Sequence, residues 1–246
     1  MFELTSLQLA LAAAAALCIG FAKGGFGGAG MLAVLLMAQV YPARESTGAI
    51  LPMLIVGDII AVWVFHAHSR AAIVLRLLPP AFIGILCGWV LMPRIEPMTF
   101  ARLMGCLTLA LLVLVVLQKF LPKLVLKAEQ RRYGWPLGWM AGVTTMLANA
   151  AGPVTTIYLL ACRLPKMEFV GTAAWFFLVV NVVKIPFSAS LGLISRESLL
   201  LNLFLAPLII GGVFVARYFL KRINQSAFEW IMIVLSALGA LRLAFS

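Results

Sequence analysis

Eight apolar runs separated by short polar stretches make up nearly the whole chain: residues 7–40, 46–65, 75–92, 100–117, 135–162, 169–189, 199–218 and 228–245. A helix rises about 1.5 Å per residue, so about 20 apolar residues cross a hydrocarbon core of about 30 Å. The strict apolar–polar alternation of a membrane β-barrel strand is not seen. Two runs are interrupted. The first breaks at Lys23 and the following GGFGGAG (24–30), the fifth at ANAAGP (148–153). After each break the chain repeats one pattern at a constant offset of 123: a proline (Pro42, Pro165), a Glu three on (Glu45, Glu168) and a Gly three beyond (Gly48, Gly171).

Identity between the halves is otherwise sparse. Asp58 meets Asn181, Val56 meets Val179 and Gly30 meets Pro153; after a four-residue insertion Pro80 and Gly84 meet Pro207 and Gly211, and Phe100 meets Phe228. The breakers and prolines therefore carry the repeat. They predict an all-α polytopic membrane protein built from two inverted repeats of four apolar segments (residues 1–118 and 135–246), joined by a basic linker, 119–134.

Charge decides how the broken runs lie. Lys and Arg collect on the cytoplasmic side of a membrane protein, so the linker, with Lys119, Lys123, Lys127, Arg131 and Arg132, is placed inside. If all eight runs cross, nine basic residues fall inside and seven outside. If both broken runs turn back, twelve fall inside, including Arg70, Arg163, Lys166 and Arg217, and four outside. The second arrangement is expected, with three crossings per half. The stretch before Lys23, at roughly 25 Å as a helix, is long for a half-span, so a first run that is discontinuous but crosses stays open.

Composition agrees. The chain is 64% hydrophobic and 11% charged, with a mean hydropathy of +1.10; so few charges do not cover a soluble domain of this size. The net charge of +11 does not point to nucleic acid, because the basic residues sit at the ends of apolar runs. Cys18, Cys87, Cys106 and Cys162 lie within apolar runs without metal-ligand spacing, so neither metal nor other cofactor is expected. The N-terminal run has no basic region before it and is expected to stay as a first membrane helix.

Paired, broken helices at matching positions of two halves are the sequence mark of a secondary carrier's binding site. Backbone freed by such a break is tolerated where it lines a cavity, and a half-helix N-terminus presents N–H donors and partial positive charge to an anion. The expected substrate-binding residues are Lys23, Gly24, Gly25, Gly27, Gly28 and Gly30 at the first break and Asn149, Gly152, Pro153 and Thr155 at the second. Gly152 would cap a half-helix whose first residue is Pro153. Asn181 and Lys184 in the sixth run complete the set. Lys184 has two readings, reaching the cavity or snorkelling outward. So has Asp58: a proton-coupling carboxylate, since burial favours its neutral form, or a structural partner of Lys23 or Lys184. Thr144, Thr145, Thr155 and Thr156 either line a polar path or bond their own helix backbone. His66 and His68 are expected at the interface, the tryptophans near run ends as anchors, and the pairs Gly84/Gly88 and Gly138/Gly142 in helix packing. Gly57-Asp58 matches part of an intramembrane aspartyl protease signature, but Ile55 replaces its first glycine and no second intramembrane Asp exists. An enzyme is not expected.

The stretches GFAKGGFGGAG…YPARESTGAILPMLIVGD and TTMLANAAGPVTTIYLLACRLPKMEFVGTAAWFF resemble those of the TauE/SafE sulfite exporter family, over essentially the whole chain. The resemblance implies a permease of the bacterial inner membrane that moves small sulfur oxyanions, such as sulfite or organosulfonates, with its substrate region at 24–30 and 149–153. A passive anion channel, or a carrier of a non-sulfur organic carboxylate, stands as the alternative. The expected partners are the anion, the lipid bilayer and a second copy in a homodimer.

Overall fold

A computed structural model of the chain describes residues 4–27, 29–96 and 133–222, with isolated positions among 99–113 and 224–241. The runs 100–117 and 228–245, the linker up to residue 132, and Gly28 thus lie largely or wholly outside the described residues. Within them the chain is helical and contains no strand. In order it forms α1 (Ser6–Lys23), α2 (Ala29–Met37), α3 (Ala43–Ala49), α4 (Leu51–Phe65), α5 (Ala71–Leu91), α6 (Gly134–Ala148), α7 (Ala151–Ala161), α8 (Lys166–Ser190) and α9 (Arg196–Leu220), with 3-10 turns after α4 and α5.

Local chemistry sets the helix ends. Thr5 caps α1 through a reciprocal box with Gln8, and Ser195 caps α9 with Ser198; each pair satisfies N–H groups that have no intrahelical partner. Pro42 and Pro165 are the N-caps of α3 and α8, and Glu45 and Glu168 stand in the first turn. The repeated Pro-x-x-Glu is thus a helix start, with an acid at the positive end of the dipole. Among the described residues, five stretches are long and apolar enough to cross a membrane: Ser6–Lys23, Arg44–His68, Ala71–Arg94, Lys166–Ser190 and Arg196–Leu220. Their outward faces carry Trp63, Leu75, Leu203 and Phe204, all well exposed, as contact with lipid tails allows.

Both broken runs are helical hairpins. The helix α1 packs on α2, and α6 on α7; an ideal Cβ at Gly30 would sit 3.4 Å from that of Ala22. The chain turns at Gly25, whose φ of 127° suits only glycine. At the other break Asn149 ends α6 with a left-handed φ of 51°, a conformation Asn tolerates better than most residues. Here α7 begins at Ala151, two residues before Pro153, the start expected from sequence.

The hairpins are gripped by the opposite half. The helix α1 lies against α9, where Gly20 and Gly212 bring the backbones together, and α6 lies against α5. In that second crossing a Cβ at Gly84 would run into the Trp139 carbonyl, and one at Gly142 into the Ala81 carbonyl. Small residues let helices approach without relying on a hydrophobic drive that lipid does not supply. At the centre α4 packs on α8.

Candidate functional site

The two breaks face each other. An ideal Cβ on Gly152 points at the Gly27 carbonyl, 3.9 Å away. Between them lies a cavity of about 80 Å³, where one water needs about 10–15 Å³ on the same measure. Its walls include Lys23, Gly25, Gly27 and Gly30 from the first break, Asn149, Gly152, Thr155 and Thr156 from the second, and Asn181 and Phe177 from α8. The rest is mainly apolar, with Met31, Leu54, Leu159 and Val170.

Three of the expected substrate-binding residues stand off the wall. Gly24 packs against Ala216 and Val213 of α9. Pro153 is buried in the first turn of α7. Lys184 lies behind the wall, 1% exposed, so it does not snorkel. Its Nζ donates to Thr145 Oγ1 at 3.2 Å and to Asn149 Oδ1. Asn149 in turn donates from Nδ2 to the Thr47 carbonyl at 2.9 Å, which joins the second break to the α3–α4 junction.

Asp58 is fully buried and paired with Lys23 at 2.7 Å. Its other oxygen accepts a 2.7 Å bond from Asn181 Nδ2, its counterpart at the offset of 123. Gly57, next to it, leaves room for the lysine: a Cβ there would sit 2.9 Å from Lys23 Cγ. The ammonium also lies 4.7 Å from the centroid of the Phe177 ring, within range of a cation–π contact.

The two helix N-termini differ. At α2 the amides of Ala29 and Gly30 donate to the carbonyls of Phe26 and Gly27. At α7 no side chain caps the helix, and the Ala151 and Gly152 amides have no partner among the described residues. Thr155 Oγ1, one turn on, is buried without a hydrogen-bond partner in the same wall. Thr144, by contrast, bonds its own helix at the Met140 carbonyl, 2.8 Å away. No cluster of His, Cys, Asp and Glu able to hold a metal occurs among the described residues.

A family model described as sulfite exporter TauE/SafE matches residues 12–243, almost the whole chain. The chain belongs to the TauE/SafE family. It is a multi-pass membrane protein of a transport family, and the sequence resemblance to TauE/SafE was to the right family. No curated protein and no solved structure matches it. Two elements of this TauE/SafE protein's polar interior escaped the sequence reading. Asn202 in α9 is buried and donates from Nδ2 to the Ala49 carbonyl at 2.8 Å; as an amide inside an apolar run it carried the same signal as Asn181. Phe177 carried none, being one aromatic among many in an apolar helix.

Proposed function

We propose that this TauE/SafE protein is a secondary carrier that moves a small sulfur oxyanion, sulfite or an organosulfonate, across the bacterial inner membrane by alternating access around the cavity between the breaks. The observation that carries the reading is the meeting of both breaks at one cavity, with a lysine at its wall and another just behind it. The uncapped amides of Ala151 and Gly152 and the free hydroxyl of Thr155 supply donors at one end. In this reading the two halves are inverted repeats. Support comes from the exchanged packing, in which each hairpin lies on the opposite half, and from the Asp58–Asn181 contact between equivalent positions. The Asp58–Lys23 pair is the candidate coupling device, since a proton taken up by Asp58 dissolves the pair.

Proteoliposomes loaded with unlabelled sulfite test this. Counterflow of radiolabelled sulfite is expected to saturate and to depend on internal sulfite. Gly152→Ala, whose Cβ has room, should retain most of it, whereas Gly152→Trp should abolish it while the protein still elutes as a folded species. Conductance without counterflow would make the protein a channel. Counterflow of lactate but not of sulfite would make it a carboxylate carrier.

A further inference from the structure

Three charged side chains of α1, α4 and α8 meet beside the cavity: Lys23, Asp58 and Lys184. Their charges are unequally matched. The carboxylate of Asp58 faces the Lys23 ammonium at 2.7 Å and the Asn181 amide at 2.7 Å. Lys184 hydrogen-bonds only neutral oxygens, Thr145 Oγ1 and Asn149 Oδ1, and feels the Asp58 carboxylate only across space. A buried ion without a counter-charge is strongly unfavourable, and Lys184 is 1% exposed. Both of its partners line the cavity, which it does not itself reach. Lys184 is therefore a positioning residue. By donating to Thr145 Oγ1 it leaves that hydroxyl's own proton for a ligand, and by donating to Asn149 Oδ1 it fixes which way the amide lies. Its charge reaches the cavity across one layer of atoms, in surroundings that screen little.

Taken with the reading of this cavity as the anion site, on which the step rests, we infer that the site selects singly charged anions, and that Asp58 is the residue that sets this valence. Lys23, Lys184 and Asp58 together carry one net positive charge. A monoanion neutralises it and answers Lys184. A dianion leaves an excess negative charge against apolar walls and beside the Asp58 carboxylate. For a sulfite-like ligand the accepted form is the singly protonated one. Replacing Asp58 with Asn keeps a group able to accept from Lys23 or Asn181, and raises the site to two positive charges. Thr155, unpartnered and 2% exposed, supplies a neutral donor with no bearing on valence.

The test is calorimetric binding to the purified full chain in lipid nanodiscs, with methanesulfonate and sulfate as probes, since neither titrates near neutral pH. The wild-type protein is expected to bind methanesulfonate at least about tenfold more tightly than sulfate. Asp58→Asn should shift that ratio by about tenfold or more toward sulfate. Lys184→Met should lose both ligands, and Thr155→Val should weaken both while keeping the ratio. A wild-type preference for sulfate, or equal binding of the two, overturns the inference without any variant; so does an unchanged ratio in folded Asp58→Asn. Binding of neither probe by the wild type instead removes the cavity as an anion site, and with it the proposed function.

Discussion

At the scale of single residues, Asn149 ties the most together. Its backbone takes the left-handed turn that ends α6, its Oδ1 accepts from Lys184, and its Nδ2 satisfies the Thr47 carbonyl. These roles separate by substitution. Asn149→Ala is expected to lower stability by about 2–4 kcal/mol, from a lost charge-assisted bond, an orphaned carbonyl and strain at positive φ. Asn149→Gly should recover about 1 kcal/mol of that, because only the strain is relieved. Thermal unfolding in micelles checks the order; equal losses in both variants would exclude a backbone role. The sequence marked Asn149 because a polar residue at a helix break inside an apolar run is costly without a task. It left Lys184 open between two directions, since side-chain direction depends on what α6 presents to α8. Only packing supplies that, and it also brings Asp58 against Lys23.

At the scale of elements, glycine and proline punctuation was legible and helix boundaries less so. The breaks at 24–30 and 148–153 and the starts of α3 and α8 follow from residues whose backbone options are few. The junction of α3 and α4 was read instead as one run, 46–65. There the chain steps at Ile50, and Asn149 and Asn202 bond the Thr47 and Ala49 carbonyls. Pro52, which lacks an N–H, is the local mark of that step; the side chains that bond the carbonyls beside it come from 102 and 153 residues away and leave no local mark. Glycine in helix crossings was foreseen, and its weight varies by position. Gly84→Ala should separate α5 from α6 and cost well over the 1 kcal/mol that Ala ordinarily gains over Gly in a helix. Gly211→Ala, with nothing within 4 Å of its Cβ, should be neutral or stabilise by up to about 1 kcal/mol. Unfolding midpoints of the two variants, compared in the same detergent, measure the contrast; similar losses would mean that Gly84 does not sit at a backbone contact.

At the scale of the whole molecule, the arrangement of the halves turns on a parity that one experiment reads. Pro42 and Pro165 are both exposed N-caps, 123 positions apart at equivalent points of the two halves. Between them the chain passes through the Arg44–His68 and Ala71–Arg94 spans, the apolar run 100–117 and the hairpin of α6 with α7. If the hairpin returns to its own side it adds no crossing; three crossings then separate the two prolines, and they would face opposite compartments. A broken helix that traversed the bilayer would add a fourth and bring them to one side. Charge bias favours the first arrangement, because it moves Arg163, Lys166, Arg217, Lys221 and Arg222 to the side of the basic linker. The packing of α7 back along α6 favours it as well: a Cβ on Gly134, at the start of α6, would lie 3.3 Å from Tyr158 Oη on α7. With the four native cysteines replaced, Pro42→Cys should react with an impermeant maleimide added to intact cells, and Pro165→Cys only after the membrane is opened. Labelling of both from one side would remove the inverted repeat. The two half-sites would then lack the exchange symmetry through which a carrier opens one cavity first to one face and then to the other.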